Sequence, residues 1–346
     1  MNSNDIAKLA GVSRSTVSRV INNYSNVPEE TRKRVLEVVK KYNYVPHASA
    51  RMLAGIKNKT IGLFMIDMRE DYKGKQVSMS SYFTPFTSAI IDNANKKGYN
   101  ILVSMVSNEN DFKRVKETFY NKSISGGIFI GVKDNEFAIK EIIKEGYKVA
   151  IIDQAEKSDE GIYSKSIIVN ADNFNGAYKA TQYLIDIGHM NIAHITGEEN
   201  QLSSIERLSG YKKALSDNKI SINEKLIIKG KFTVDSGYNA TKKLLSKEKP
   251  TAIFLSNDSM SIGAIQAIQE SGLKIPEDIS IIGFDDIEIA KYLKPPLTTI
   301  RLDIPEMAAL AVNALILSID NNSNFSANYI VAVKLIERES CRAIKK

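Results

Sequence analysis

The stretch GVSRSTVSRVINN, residues 11–23, has two faces that composition does not explain. With Ser13 as a helix cap, Val17, Val20 and Ile21 fall at i, i+3 and i+4 and form a narrow apolar stripe. Ser15, Ser18, Arg19 and Asn22 fall on the opposite stripe, at i, i+3, i+4 and i+7. A surface helix ordinarily carries Glu and Lys there; short hydroxyls and a bidentate guanidinium are instead suited to reading hydrogen-bonding edges.

The flanking residues complete a small helical unit. Residues 5–10 put Ile6, Leu9 and Ala10 on one side of a preceding helix, and Gly11 permits the tight turn of a helix-turn-helix. Pro28, Glu29 and Glu30 open a third helix at its positive dipole end, with Val35, Leu36, Val38 and Val39 inward and Lys40 and Lys41 near the negative end. So small a bundle buries little, so its stability should depend on a bound partner.

The charge distribution supports that division. The chain has 346 residues and a formal charge of +7, and residues 1–59 hold eleven Lys and Arg against four Asp and Glu. All of the excess therefore sits in the N-terminal segment, the electrostatic footprint of a polyanion-binding module on a neutral body. No apolar run reaches the roughly 18 residues of a membrane span. Asp5, Lys8, Arg14 and Arg19 stand where an export signal would need its apolar stretch, so the expected location is cytoplasmic. A lone Cys341 excludes an internal disulfide and a cysteine-clustered metal site, in keeping with a reducing compartment.

After Pro46, the string HASARMLAG (47–55) has the composition of a short helix ending at Gly55, too short to persist alone in water. From residue 60 onward, IGLFMI (61–66), NILVSM (100–105), GGIFIG (126–131) and VAIID (149–153) read as buried parallel strands between amphipathic helices. The same rhythm resumes at 192–197, 226–229, 252–256 and 279–284. The fold class is α/β: a helix-turn-helix head and two doubly wound parallel-sheet lobes. Ligands of such sheets bind beyond the carboxyl ends of the strands.

The opening stretch, the 47–55 string and the later strings ERLSGYKKAL, NDSMSIGA, PEDISIIGFDD and PPLTTIR lie in one order along the chain. In that order they resemble the LacI/GalR family of bacterial transcriptional regulators over essentially the whole length. The resemblance implies a DNA-binding head at 1–45, a hinge helix and linker at 46–59, and a core of the periplasmic-binding-protein type at 60–346. Lobe 1 is expected at about 60–162 plus 293–320 and lobe 2 at about 163–292 plus 321–346. It further implies a homodimer on a near-palindromic operator, acting as a repressor whose DNA affinity changes with a small effector, most simply a sugar.

Carried over residue by residue, the resemblance makes Arg14 and Ser15 the main base-specificity positions and Arg19 a shared base-contacting arginine, suited to guanine O6 and N7. Thr16, Ser18 and Asn22 would hold phosphates or fix register, and Leu53 would wedge into the minor groove. For the effector, Tyr82 and Phe83 match an aromatic pair at the start of the first core helix, and Phe232 an aromatic that stacks on ligand rings. Arg207, Asn257 and Asp285 match positions that grip ligand hydroxyls, with Asp172 a fourth; Arg207 and Asp285 could instead simply pair with each other.

Two features depart from the pattern. The polar segment DMREDYKGKQVSMSS (67–81) occupies a position where the family usually has only a few residues, and it either reshapes the mouth of the pocket or is a neutral surface insertion. ESCRAIKK at the C-terminus has no leucine heptads, so a dimer is the expected assembly. An enzyme on a doubly wound fold is disfavoured: there is no GxGxxG, phosphate-binding loop or GxSxG elbow, and His47, His189 and His194 show no metal spacing, so neither cofactor nor metal is expected. A transport-type sugar receptor fits the core but not the basic head. A purine or a protein co-regulator remains the alternative effector.

Overall fold

The computed structural model describes residues 1–21, 24–44, 58–67, 81–131, 137–154, 165–323 and 325–344. The head is three helices, α1 (Ser3–Ala10), α2 (Arg14–Ile21) and α3 (Glu29–Lys41). Asn2 caps α1 in a reciprocal box with Asp5, and Gly11 ends it in the left-handed region at φ 62°, making the turn into α2. Ser13 Oγ accepts from the Thr16 amide at 3.1 Å, the expected cap of α2. Val17, Val20 and Val35 are buried together with Ile6, Ala7, Ala10, Val27 and Tyr44. Two inward assignments fail: Leu9 is 49% and Leu36 46% exposed, and Ala7 takes the inward place on α1. A core of this size has room for one apolar row per helix, which small residues fill.

The body is built from α4 (Phe83–Lys96), α5 (Glu109–Tyr120), α6 (Phe137–Lys144), α7 (Asn173–Asp186), α8 (Leu202–Asp217), α9 (Val234–Leu245), α10 (Asp258–Glu270) and α11 (Ile304–Asp320). Its strands are β1 (Thr60–Ile66), β2 (Asn100–Val106), β3 (Gly127–Ile130), β4 (Val149–Ile152), β5 (Ile167–Ala171), β6 (Ile192–Ile195), β7 (Ile227–Ile228), β8 (Ala252–Leu255), β9 (Ser280–Asp285), β10 (Thr298–Arg301), β11 (Ala327–Val331) and β12 (Lys334–Ile336). They form two six-stranded sheets, ordered β11-β5-β4-β3-β1-β2 and β12-β10-β9-β8-β6-β7. The first is wholly parallel; in the second only β12 runs antiparallel, against β10. β3, β4 and β9 are buried throughout and β1 from Ile61 onward, as apolar runs covered by helices on both faces must be. β2 differs from its expected burial, because it is an edge strand and half of it faces outward.

The sheets redraw the lobe boundaries. β5 pairs with β4, so lobe 1 runs on to 171 instead of stopping at 162. β10 pairs with β9 and belongs to lobe 2, not to a lobe 1 segment beginning at 293. β11 pairs with β5 and returns the chain to lobe 1, so 321–346 is not all lobe 2. The backbone crosses between lobes near 172, 302 and 332, and short strands flank the crossings on either side. No helix among the described residues is long and apolar enough to cross a membrane.

Candidate functional site

On α2, Arg14, Ser15, Ser18 and Arg19 are exposed while Val17 and Val20 face the head core, so the helix presents one polar face outward. The Thr16 and Ser15 hydroxyls lie 2.9 and 2.7 Å from Ser13 Oγ, which places them in the cap network at the start of the helix. Thr16 is half-buried, and its hydroxyl helps organise the cap. Asn22 and Leu53 lie outside the described residues, as does the segment 46–57 expected to form the hinge helix.

In the body, a cavity of about 350 Å³ opens between the lobes beyond the carboxyl ends of the strands. From lobe 1 it is lined by Asp67 after β1, Ser81, Tyr82 and Phe83 at the start of α4, Gly131 after β3 and Asp153 after β4. Lobe 2 contributes Ser203 and Arg207 on α8, Phe232 before α9, Asn257 at the cap of α10 and Asp285 at the end of β9. Six of the seven expected effector residues are thereby brought to one place.

Arg207 is buried and held from several sides. Its Nε donates to Asn173 Oδ1 at 3.0 Å, its Nη1 donates to the Ser256 carbonyl, and its guanidinium lies 3.7 Å above the Phe284 ring centroid. Nη1 also stands 3.6 Å from Asp285 Oδ1, so the two residues pair, at a distance too long for a hydrogen bond. Among the described residues none donates a hydrogen bond to the buried Asp285 Oδ1. Burial pushes the Asp285 carboxyl up to about 7 against the pull of Arg207, and Asp153 adds to the rise. Burial, then the charges of Asp153 and Asp285, hold the Tyr82 phenol well above its usual range and therefore protonated.

The ring of Phe232 reaches the cavity because its backbone adopts φ 59° and its neighbour is glycine. A Cβ on Gly197 would lie 1.9 Å from Phe232 Cζ. Asn257 has a double duty already: Oδ1 accepts from the Met260 amide at 2.9 Å and Nδ2 donates to the Phe232 carbonyl at 3.3 Å. It thus ties the cap of α10 to the segment that carries the aromatic ring.

Asp172 is corrected. It does not line the cavity; its carboxylate caps α7, accepting from the Asn175 amide at 3.2 Å and side chain at 2.8 Å. The next residue, Asn173, is the one that holds Arg207. Asp153 and Ser203 were also missed; Ser203 Oγ donates to Asp153 Oδ2 at 2.8 Å across the lobes. Another is His194, whose Nδ1 bonds the Phe254 carbonyl at 3.0 Å and so carries the proton, leaving Nε2 toward Ser256 Oγ at 3.4 Å. Burial pushes His194 down to about 3, and the neutral ring stacks between Tyr211 and Phe254 behind the Arg207 anchor. His189 is structural, its ring contacting Thr251 Oγ1 at 3.0 Å and the Arg342 carbonyl at 3.2 Å. Residues 68–80 of the polar segment lie outside the described residues, but both its ends, Asp67 and Ser81, line the cavity. Among the described residues no group of His, Cys, Asp and Glu is placed to hold a metal.

Both parts of the chain match known proteins. Residues 4–47 match the lacI family of bacterial regulatory proteins and residues 181–341 the periplasmic binding protein-like domain. The chain is 37% identical to the HTH-type transcriptional regulator MalR of Clostridium butyricum, with 99% of each chain covered. It is 34% identical to the ribose operon repressor of Haemophilus influenzae, covering 99% of this chain and 98% of that one. Among solved structures, the lac repressor dimer bound to operator and the anti-inducer ONPF superposes with a TM-score of 0.81 at 28% identity, over 98% of both chains. A complex of the transcriptional regulator CelR with cellobiose gives 0.75 at 25% identity, over 98% of this chain and 99% of that one.

Proposed function

This chain belongs to the LacI family of bacterial regulatory proteins, and from that premise we propose how its two sites divide the work of a ligand-controlled repressor. It is a DNA-binding regulator and not an enzyme. Two copies present α2 to the halves of a near-palindromic operator in the cytoplasm, with Arg14, Ser15 and Arg19 at base edges. Thr16, Ser18 and Asn22 position the helix on phosphates, and Leu53 enters the minor groove between the copies.

The effector binds in the interlobe cavity and is a neutral, hydroxyl-rich molecule of the sugar class. The observation that carries this is Asp285 Oδ1: a buried acceptor to which no described residue donates a hydrogen bond, 3.6 Å from Arg207 in a cavity lined from both lobes. A ligand hydroxyl supplies the missing donor there, and leaving such an acceptor unmet costs about 1–3 kcal/mol. Among the described residues, Asp67, Asp153 and Asp285 face the cavity against one guanidinium, that of Arg207, which disfavours a phosphorylated ligand. Phe232 supplies an apolar face for the ring's C–H side. A ligand that bridges the lobes favours one of their arrangements and so changes the geometry offered to the operator.

A thermal-shift screen of neutral sugars, sugar phosphates and purines tests the reading, because a ligand of the folded state raises the melting midpoint. Neutral sugars should raise it. A response confined to sugar phosphates would overturn the charge argument, and one confined to purines would leave Phe232 stacking as the dominant recognition.

A further inference from the structure

The body of the protein is formally neutral, yet the amino ends of the lobe 1 strands are not. All six strands run parallel, so their amino ends share one edge. Across five neighbouring strands the residues leading in include Lys97 before β2, Lys59 before β1, Lys122 before β3, Lys148 before β4 and Lys165 before β5. Lys148 is half-buried and the other four are exposed. Hydrogen bonds to backbone carbonyls hold these entries side by side: the Asn100 amide donates to the Lys59 carbonyl at 2.8 Å, the Asn58 side chain through Nδ2 to the Lys122 carbonyl at 3.0 Å, and the Gly127 amide to the Lys148 carbonyl at 3.0 Å.

Lys96 and Lys144 close α4 and α6 at the same end, where cations ordinarily answer the helix dipole. Lys59 enters β1 directly and answers no helix end. Lys144, Lys148 and Lys165 also line a concavity of about 270 Å³. Among the described residues the acidic groups near this edge are already engaged: Glu145 is bonded by the Tyr120 hydroxyl at 3.1 Å, Asp320 by the Tyr99 hydroxyl at 2.8 Å, Asp92 by Lys96 at 2.5 Å, and Glu141 pairs with Lys116. The strand entries of lobe 2 carry no such excess, since Asn191, Glu224, Lys225, Lys249 and Asp278 mix both signs.

This is also the edge at which the chain arrives from the head. Residues 45–57 separate Tyr44 from Asn58 and span at most about 45 Å when fully extended. The lysine edge is thus tethered to the DNA-bound head, while the cavity opens at the opposite end of the same strands.

We propose that the lysine edge of lobe 1 is a second DNA contact, lying on the phosphate backbone of the duplex that flanks the operator. Four interstrand gaps of roughly 4.8 Å make a row of about 19 Å. That length matches five to six base-pair steps of about 3.4 Å. Without groove-reading side chains, the contact adds affinity and salt dependence but no sequence preference. The inference rests on the operator-binding reading, and the test separates the two.

The full-length protein is first used to select its site from randomised duplexes. Binding is then measured against salt on that site trimmed to its protected length, and on the same site with roughly one helical turn of unrelated sequence at each side. The wild type should bind the flanked duplex more tightly at low salt, with a steeper salt slope. The variant Lys97→Gln/Lys122→Gln/Lys165→Gln should lose that gain, its slope on flanked DNA falling by up to about 5 for six charges per dimer. Its melting temperature, trimmed-site affinity and effector response should stay unchanged. Equal wild-type affinity for the two duplexes, or a flank gain that survives in the variant, overturns the proposal. So does selective displacement of flanked DNA by inorganic phosphate at constant ionic strength, which would assign the lysines to a small anion. Failure to select or bind any site would overturn the operator reading itself.

Discussion

The outer face of α2 and the interlobe cavity use the same kinds of side chain under opposite conditions. Arg14, Ser15, Ser18 and Arg19 come from one eight-residue helix and are exposed. Arg207, Asn257 and Asp285 come from three separate elements and are buried. An exposed guanidinium is kept by water until DNA arrives. A buried one has to be satisfied beforehand, and Asn173, Ser256 and Asp285 do so for Arg207. A change on α2 therefore loses what DNA supplied, whereas a change in the cavity also disturbs a standing arrangement.

Arg207→Ala draws that contrast most sharply. Removing one member of a buried charge pair costs about 2–5 kcal/mol in binding. Effector affinity should drop by more than about thirtyfold, while affinity for the operator in the absence of effector is kept. Titration of the best screening ligand by calorimetry, alongside operator binding, reads both. Loss of both together would make Arg207 a structural residue and end the distinction.

Arg19→Ala is the counterpart on the exposed side. A lost bidentate base contact costs about 1–3 kcal/mol, or roughly 5- to 150-fold in operator affinity. Effector affinity and melting of the body should be untouched. Competition against duplexes substituted one position at a time tells a base contact from a phosphate contact: the former relaxes one position, the latter weakens all of them equally.

The same contrast explains what could be read without coordinates. The head was legible because its information is local: Ser13, Gly11, Val17, Val20 and the outward Arg19 are set by spacing along one short segment. Even there Leu9 and Leu36 misled, since an apolar period does not reveal how much core a small bundle has room for. The cavity was legible only at residues that stand immediately after strands or open helices. Asn173, one position past the expected Asp172, and His194, behind Ser256, act through partners 34 and 62 residues away. No local pattern encodes such pairings. The lobe boundaries failed for a related reason, because β5, β10 and β11 are short strands assigned to a sheet by their neighbours rather than by their own sequence.

A pH titration sharpens the buried side further. The Asp285 carboxyl, raised from 3.8 to about 7, faces Arg207, Asp153 and the protonated Tyr82 phenol. Its folded value exceeds its unfolded one, so the ligand-free protein binds the proton more tightly and loses this contribution to stability as pH rises from 3.8 to about 7. A ligand hydroxyl donating to the carboxylate favours the ionised form, so effector affinity should rise by about tenfold between pH 6 and 8. Asp285→Asn should flatten the affinity profile and shrink the stability change, of which Asp258 and Glu206, also raised by burial, keep a part. Operator binding by the exposed arginines of α2 should show no matching step.

The smallest effect tests whether the exposed site is as independent of its scaffold as the comparison implies. Ser13 Oγ accepts from the Thr16 amide and meets the Ser15 and Thr16 hydroxyls, so Ser13→Ala removes the cap and the partner of the Ser15 hydroxyl while leaving every residue of the reading face in place. The expected loss is about 1 kcal/mol of head stability, seen by calorimetry as a lowered head transition with the body transition unmoved. If the head is folded before it meets DNA, that loss leaves nearly all molecules binding-competent and operator affinity scarcely changes. If it folds on the operator, the same 1 kcal/mol appears in full as about fivefold weaker binding, because ordering is then part of the binding step. A fivefold loss would make the head, like the cavity, a site whose side chains work only once their surroundings have assembled.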